Sequence, residues 1–308
     1  PYGCTEQVVS SLQPLLLAPA TAVRLGLVAE ADVLPRVQAG VDRVLTRQGR
    51  TGSFGLWSVG GGDLWLDAYV TDFLLRAEAA GAVVPAAALR SALDNLSNGA
   101  RSAGSMSDGA AQYAYAFYVL ARAGEAVIGD LRYYADTFAA SFDTPLAAAQ
   151  LGAALALYGE QARADALFGR AQRLALQVAD DAGWRTDYGT ALRDAAGVLV
   201  LAAEAGTRVV DRPELIGLVT GLGQAALLSP QEAAWALRAA VATLDDASGL
   251  ELDGRPVTGN VYLSYAGADT VLRNGGDSEV VATITTFGVP AEAPRAGGVG
   301  YDISRTYL

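Results

Sequence analysis

The chain has 308 residues, 52% of them hydrophobic and 18% charged, with a formal net charge of −11. That composition is too apolar and too thinly charged for a disordered chain, and the length can bury at least one large core. All 22 basic residues are arginine and histidine is absent. An acidic chain without basic runs argues against nucleic acid and anionic membranes as partners. Without histidine, a Ser-His-Asp triad, a Cys-His dyad or a histidine zinc site cannot be built.

In chain order the first chemistry sits in Pro1-Tyr2-Gly3-Cys4-Thr5-Glu6-Gln7. Cys4 is the single cysteine, so neither an intrachain disulfide nor a cysteine-clustered metal site can form, and we expect no metal and no cofactor. A thiol and a glutamine amide three positions apart can close on each other. The sulfur attacks the amide carbon, ammonia leaves, and an internal Cys-Gln thioester remains. Gly3 is expected to relieve crowding where the backbone bends into that ring. With Gln7 opening an apolar helix from Val8 to Leu17, the sulfur lies near a helix N-terminus, where the dipole favours a thiolate leaving group. The bland reading is a buried, inert cysteine.

From about Gln7 to Leu244 the pattern is helical nearly throughout. Leu66, Tyr69, Val70, Phe73 and Leu74 make one apolar face; Ala164, Leu167, Phe168, Ala171, Leu174, Ala175 and Val178 make another. Thr144-Pro145 and Ser229-Pro230-Gln231-Glu232 read as capped starts, the second as a capping box. Gly124, Gly159 and Gly206 read as stops. Tyr113 to Ala121 is apolar on all sides, as a helix between layers should be. About a dozen helices with short connections predict a mainly α fold. We expect an α/α toroid, with helical hairpins in two concentric layers.

The pattern changes after Asp245-Asp246. Asp253-Gly254 and Asn274-Gly275 are hairpin signals, and Glu279 to Phe287 alternates like a strand. We expect a toroid domain over residues 1–247 and part of a β-sandwich over 248–308. The longest apolar run, Ala195 to Ala203, is far below the roughly 20 residues of a membrane span. A start at Pro1 and a strand-like end at Leu308 suggest a piece of something longer, with any compartment signals cut away.

Other residues invite a different function. Asp67 with Asp72, or Asp187 with Asp194, would suit a toroid carbohydrate-active enzyme that uses paired carboxylates. Against this, Asp72 and Asp194 are expected to be solvated or cap-associated. Trp57, Trp65, Trp184 and Trp235 fit packing better than a sugar cleft, and Tyr113, Tyr115, Tyr118, Tyr133 and Tyr134 fit the core or helix interfaces. A third reading is a passive interdomain binding module without a functional thioester.

The N-terminal heptad resembles the thioester motif of the α2-macroglobulin and complement superfamily, with Thr5 where bacterial α2-macroglobulins also depart from glycine. Gly52-Ser53-Phe54-Gly55-Leu56-Trp57 with Trp65-Leu66-Asp67-Ala68-Tyr69-Val70 is similar to the same domain. So are Asp187-Tyr188-Gly189-Thr190-Ala191-Leu192-Arg193-Asp194 and Ser229-Pro230-Gln231-Glu232. Gly300-Tyr301-Asp302-Ile303-Ser304-Arg305-Thr306-Tyr307 resembles the family's exit from its CUB-like β domain.

The resemblance implies that Cys4 is the leaving thiol and Gln7 the acyl donor, with Glu6 part of the motif but without a settled role. It also implies a parent protein in the bacterial periplasm or cell envelope, anchored by lipid in many relatives. That parent would be a single-turnover protease inhibitor rather than an enzyme. It would acylate lysine amines of target proteases, with the other domains of the parent chain as neighbours. Some complement relatives use a histidine as acyl carrier; here the corresponding loop, placed between Arg90 and Asp108, offers Asp94, Asn95 and Asn98. The thioester is therefore expected to react directly with amines. The missing lysines would spare it self-acylation, although a GC-rich genome favouring Arg and Ala is the better explanation of that absence.

Overall fold

The computed structural model describes residues 3–17, 19–24, 28–61, 63–101, 110–177, 185, 187–224, 227–244, 250–257 and 269–275. Twelve α-helices lie among the described residues. They are α1 (Thr5–Leu17), α2 (Pro19–Arg24), α3 (Val33–Leu45), α4 (Leu64–Ala79), α5 (Ala86–Arg101) and α6 (Ala110–Arg122). The second half adds α7 (Ile128–Phe138), α8 (Pro145–Leu157), α9 (Gln161–Gln177), α10 (Ala191–Glu204), α11 (Arg212–Leu222) and α12 (Pro230–Leu244).

Six of these close a ring. α1 packs on α4, α4 on α6, α6 on α8, α8 on α10, α10 on α12, and α12 returns to α1. Outside the ring, α3 covers α1, α5 lies on α4 and α6, α7 on α8, α9 on α8 and α10, and α11 on α10. This is the α/α toroid expected from the sequence. Inner helices are wrapped on both sides, so α8 is buried at every position from Pro145 to Leu155. Alanine and glycine let these helices approach closely. A Cβ on Gly197 of α10 would come within 2.4 Å of Leu146 Cδ1 on α8.

The local signals work as read. Thr144 Oγ1 accepts from Ala147 N at 3.2 Å. In the capping box Glu232 N donates to Ser229 Oγ at 3.2 Å, and Ser229 N donates to Glu232 Oε2 at 2.7 Å. Gly124, Gly159 and Gly206 have φ of 74°, 78° and 63°, the left-handed stop that glycine allows.

Three readings need correction. Helix α1 begins at Thr5, because Cys4 already serves as its cap. Asp94, Asn95 and Asn98 lie within α5 rather than in a loop, since Leu89, Ala92, Leu96 and Ala100 form a buried helical stripe there. Against the helical pattern read nearly throughout, residues 46–61 are a long loop with one isolated bridge, Gln48 to Phe54.

After α12, β1 (Leu250–Leu252) pairs antiparallel with β2 (Arg255–Pro256) and with β3 (Leu272–Asn274), in the order β2-β1-β3. Asp253 and Gly254 have φ of 50° and 75°, the hairpin geometry their dipeptide signals. The run Glu279 to Phe287, the closing segment 300–307, Trp184 and Tyr2 lie outside the described residues.

Candidate functional site

All six inner helices start at one end of the ring. Glu6 of α1 bonds Gln231 of α12, and the ring of Trp65 on α4 lies 5.0 Å from that of Tyr188, just before α10. Far ends meet too: Arg76 of α4 lies near Glu204 of α10, and Tyr118 of α6 bonds the same carboxylate. The cysteine motif therefore sits where the helix N-termini converge.

Cys4 is buried, and its carbonyl accepts from Val8 N at 3.0 Å, so it caps α1. Its sulfur takes the place of a capping oxygen, receiving Gln7 N at 3.4 Å. The Gln7 side chain folds back and its Oε1 accepts from Cys4 N at 3.2 Å. One helical turn thus brings each side chain onto the backbone N–H of the other residue. With Cys4 as a free thiol, a Cβ on Gly3 would meet Gln7 Oε1 at 3.7 Å, an ordinary contact. Gln7 is otherwise exposed and opens on a groove of ≈ 1030 Å³ between α1, α3 and the start of α12, with Arg36 and Arg43 on its wall.

Glu6 faces inward and is buried. Cys4 Sγ donates to its Oε2 at 3.8 Å, while Oε1 accepts from Ser10 Oγ at 2.7 Å and from Gln231 Nε2 at 3.0 Å. Tyr69 Oη lies 2.8 Å from the same Ser10 hydroxyl. Burial pushes the Tyr69 phenol well above its ordinary range.

The loop 46–61 closes over the cap. Thr5 N donates to Leu56 O at 2.9 Å, and Thr5 Oγ1 to Gly55 O at 2.6 Å. Arg47 donates to Thr5 Oγ1 and to Gly3 O, both at 2.9 Å. From below, Asp67 Oδ1 accepts from Phe54 N at 2.6 Å and its Oδ2 from Asn95 Nδ2 at 2.7 Å. Burial outweighs both bonds and raises Asp67 to about 6. The turn is tight enough that a Cβ on Gly55 would lie 2.0 Å from Ser58 O.

A second loop comes from the segment before α10. Arg193, fully buried, donates to the Asp187 carbonyl, and its Nη2 pairs with Asp187 Oδ2 at 2.8 Å and Asp194 Oδ1 at 2.7 Å. Arg185 bridges the same two carboxylates. The network holds Tyr188 at φ 56°, an unusual backbone for a bulky side chain. Its phenol is raised by burial and by the nearby Asp63, Cys4 and Glu6. Among the described residues, Tyr188 and Tyr69 are the tyrosines at the site. Neither is among the five singled out from the sequence, although both stand in stretches that carry the family resemblance.

The paired carboxylates do not line a cleft. Asp72 and Asp194 are neither solvated nor caps: both are wholly buried, Asp72 with Arg76 at 3.0 Å and Asp194 with Arg193 and Arg185. Asp67 is spent on the loop. Trp65 and Trp235 are core residues, whereas Trp57 is 67% exposed on the loop. Tyr133 is 54% exposed, with ring contacts to Tyr134 and Phe138 of its own helix, against the core or inter-helix placement expected for it. Among the described residues no group of three or more metal-ligating side chains gathers, and no helix is long and apolar enough to cross a membrane.

A closed helical ring with a Cys-Thr-Glu-Gln cap at the mouth defines a class. Residues 1–116 match the A-macroglobulin TED domain family. The whole chain aligns with the α2-macroglobulin of Escherichia coli strain K12, at 32% identity over 339 positions, and spans 20% of that protein. The structure of Salmonella α2-macroglobulin reacted with methylamine superposes with a TM-score of 0.74 at 29% identity, over 89% of this chain and 18% of that one. That of trypsin-activated α2-macroglobulin from E. coli gives 0.70 at 28% identity, over 89% and 19%. Residues 1–116 thus belong to the A-macroglobulin TED domain family, and the whole chain is similar to the corresponding fifth of the E. coli α2-macroglobulin.

Proposed function

We propose that Cys4 and Gln7 form an internal thioester, and that the chain is the acylating domain of a bacterial α2-macroglobulin-type protease inhibitor. The observation that carries this reading is the reciprocal contact of the two residues. Gln7 N reaches the sulfur while the Gln7 amide oxygen reaches Cys4 N. Closure transfers the Gln7 acyl carbon from nitrogen to sulfur. An attacking amine then takes the acyl group and Cys4 leaves as thiol. By this reading the parent is a single-turnover inhibitor of the cell envelope, consumed as it couples to lysines of a protease. The toroid domain ends near 247, and 248–308 is part of a CUB-like β domain that, with other domains of the parent, covers the bond.

Reaction with methylamine and activation by trypsin are properties of the Salmonella and E. coli relatives. For this chain the zero histidine count adds a selectivity. No side chain here provides a neutral-pH acyl carrier, so attack is direct and amines outcompete hydroxyls. Incubation with equimolar methylamine and glycerol, followed by peptide mass analysis, is expected to leave the amide on Gln7 as the main adduct. Glycerol ester equal to or above the amide would overturn direct aminolysis. No adduct at all would overturn the thioester.

A further inference from the structure

We infer that Glu6 is the proton carrier of thioester chemistry in this chain, held in place by Ser10 and Gln231. The inference rests on the Cys4–Gln7 thioester reading and assigns a role within it. Three observations support it. Glu6 Oε2 is the acceptor for the Cys4 thiol, at 3.8 Å in a buried setting. Its other oxygen is occupied from two sides, by Ser10 Oγ at 2.7 Å and Gln231 Nε2 at 3.0 Å, which leaves Oε2 aimed at the sulfur. The holder comes from α12, 225 positions away, so closing the ring of helices is what completes the site.

The chemistry balances without another reactant. Glu6 carboxylate takes the Cys4 proton as the thiolate attacks the Gln7 amide carbon. When the tetrahedral centre collapses, the C–N bond breaks and the nitrogen departs as ammonia with that proton. In aminolysis the traffic reverses. The attacking amine gives up a proton as its N–C bond forms, the C–S bond breaks, and the proton reaches sulfur through Glu6. Positioned acid–base groups of this kind contribute about 10²–10⁴-fold. Around the carboxylate stand Cys4, Ser10, Tyr69, Tyr188 and Gln231, and no lysine or histidine exists in the chain to substitute.

The test follows thioester closure in the chain after refolding from denaturant, by loss of one ammonia in intact mass and by protection of Cys4 from iodoacetamide. Glu6→Gln keeps the acceptor for Ser10 and Gln231 but cannot take a proton. It is expected to fold, to close about 10²-fold or more slowly, and to gain rate steadily with hydroxide where the original chain does not. Gln231→Leu leaves the carboxylate but frees it. A slowdown of about tenfold is expected there, with the pH profile of the original chain. Should Glu6→Gln fail to fold, Glu6→Ala with added formate or acetate replaces it, and recovery of closure that scales with carboxylate concentration is expected.

Closure of Glu6→Gln at the original rate and pH profile would overturn the role of Glu6 while leaving the thioester intact. So would carboxylate-insensitive closure in Glu6→Ala. Failure of the unsubstituted chain to lose ammonia would instead overturn the thioester reading itself.

Discussion

Where the inner helices begin, most polar side chains hold loops, the Arg193–Asp187 ion pair included; where the helices finish, polar side chains join helix to helix. The starting end uses Thr5, Arg47 and Asp67 to clamp loop 46–61 through backbone carbonyls and amides. The finishing end is an ion network that runs from the buried Asp72 and Arg238 out to the exposed Glu204. Asp72 pairs with Arg76 at 3.0 Å and Arg122 at 3.4 Å, and Glu204 with Arg238 at 3.5 Å and Arg76 at 3.6 Å. Burial alone would lift the Asp72 carboxyl, but the three guanidiniums around it win and hold it below its ordinary range. The network ties α4, α6, α10 and α12 directly. The finishing contacts thus tie inner helices to one another, and most of the starting contacts hold loops over the Cys4 cap.

The largest expected effect lies at the finishing end. Asp72→Ala takes the buried carboxylate away from Arg76 and Arg122, which keep only Glu204 and the Tyr118 hydroxyl, and should cost about 3–4 kcal/mol in urea unfolding. A loss below about 1 kcal/mol would mean that the network does not hold the ring.

At the starting end, Asp67 should show as a pH effect. Its folded pKa, about 6, exceeds the ordinary 3.8, so the folded state binds the extra proton between those values. Stability from this group is therefore greatest below about pH 4, declines by about 3 kcal/mol as pH rises to 6, and is flat above. Asp67→Asn keeps an acceptor for Phe54 N and should remove that decline. An unchanged slope would show that Asp67 is not held neutral.

Smaller still, Thr5→Val deletes the hydroxyl between Arg47 and Gly55 and should cost about 1–2 kcal/mol, with faster hydrogen exchange confined to loop 46–61. Slower or unchanged exchange there would remove Thr5 as the clamp. Ser229→Ala, on a surface cap, is expected to cost about 1 kcal/mol in thermal unfolding.

The difference between the two ends also decided what the sequence could reveal. Helical faces, the Thr144 and Ser229 caps and the Asp253-Gly254 turn depend on neighbours a few positions away, and they were legible. The Cys4 to Gln7 spacing is equally local. Glu6 had no readable role because its partner Gln231 stands 225 positions on. Asp72 looked like a surface carboxylate for the same reason: only Arg76 is its neighbour in sequence, while Arg122 arrives from another helix. Asn95 was misplaced into a loop because Asp94, Asn95, Ser97 and Asn98 hide a buried stripe of Leu89, Ala92, Leu96 and Ala100. Tyr188 needed the Arg193 network to hold its backbone at positive φ, which no pattern of residue types announces.

The measurement that bears most directly on the central claim is the intact mass of freshly purified chain, paired with Cys4→Ala. With a Cys4–Gln7 thioester the chain is lighter than its sequence by one ammonia, resists iodoacetamide at Cys4, and regains an alkylatable thiol on exposure to methylamine. The Cys4→Ala variant has the full sequence mass. A chain at full sequence mass, whose Cys4 is alkylated at once under unfolding conditions without any amine, would contradict the account.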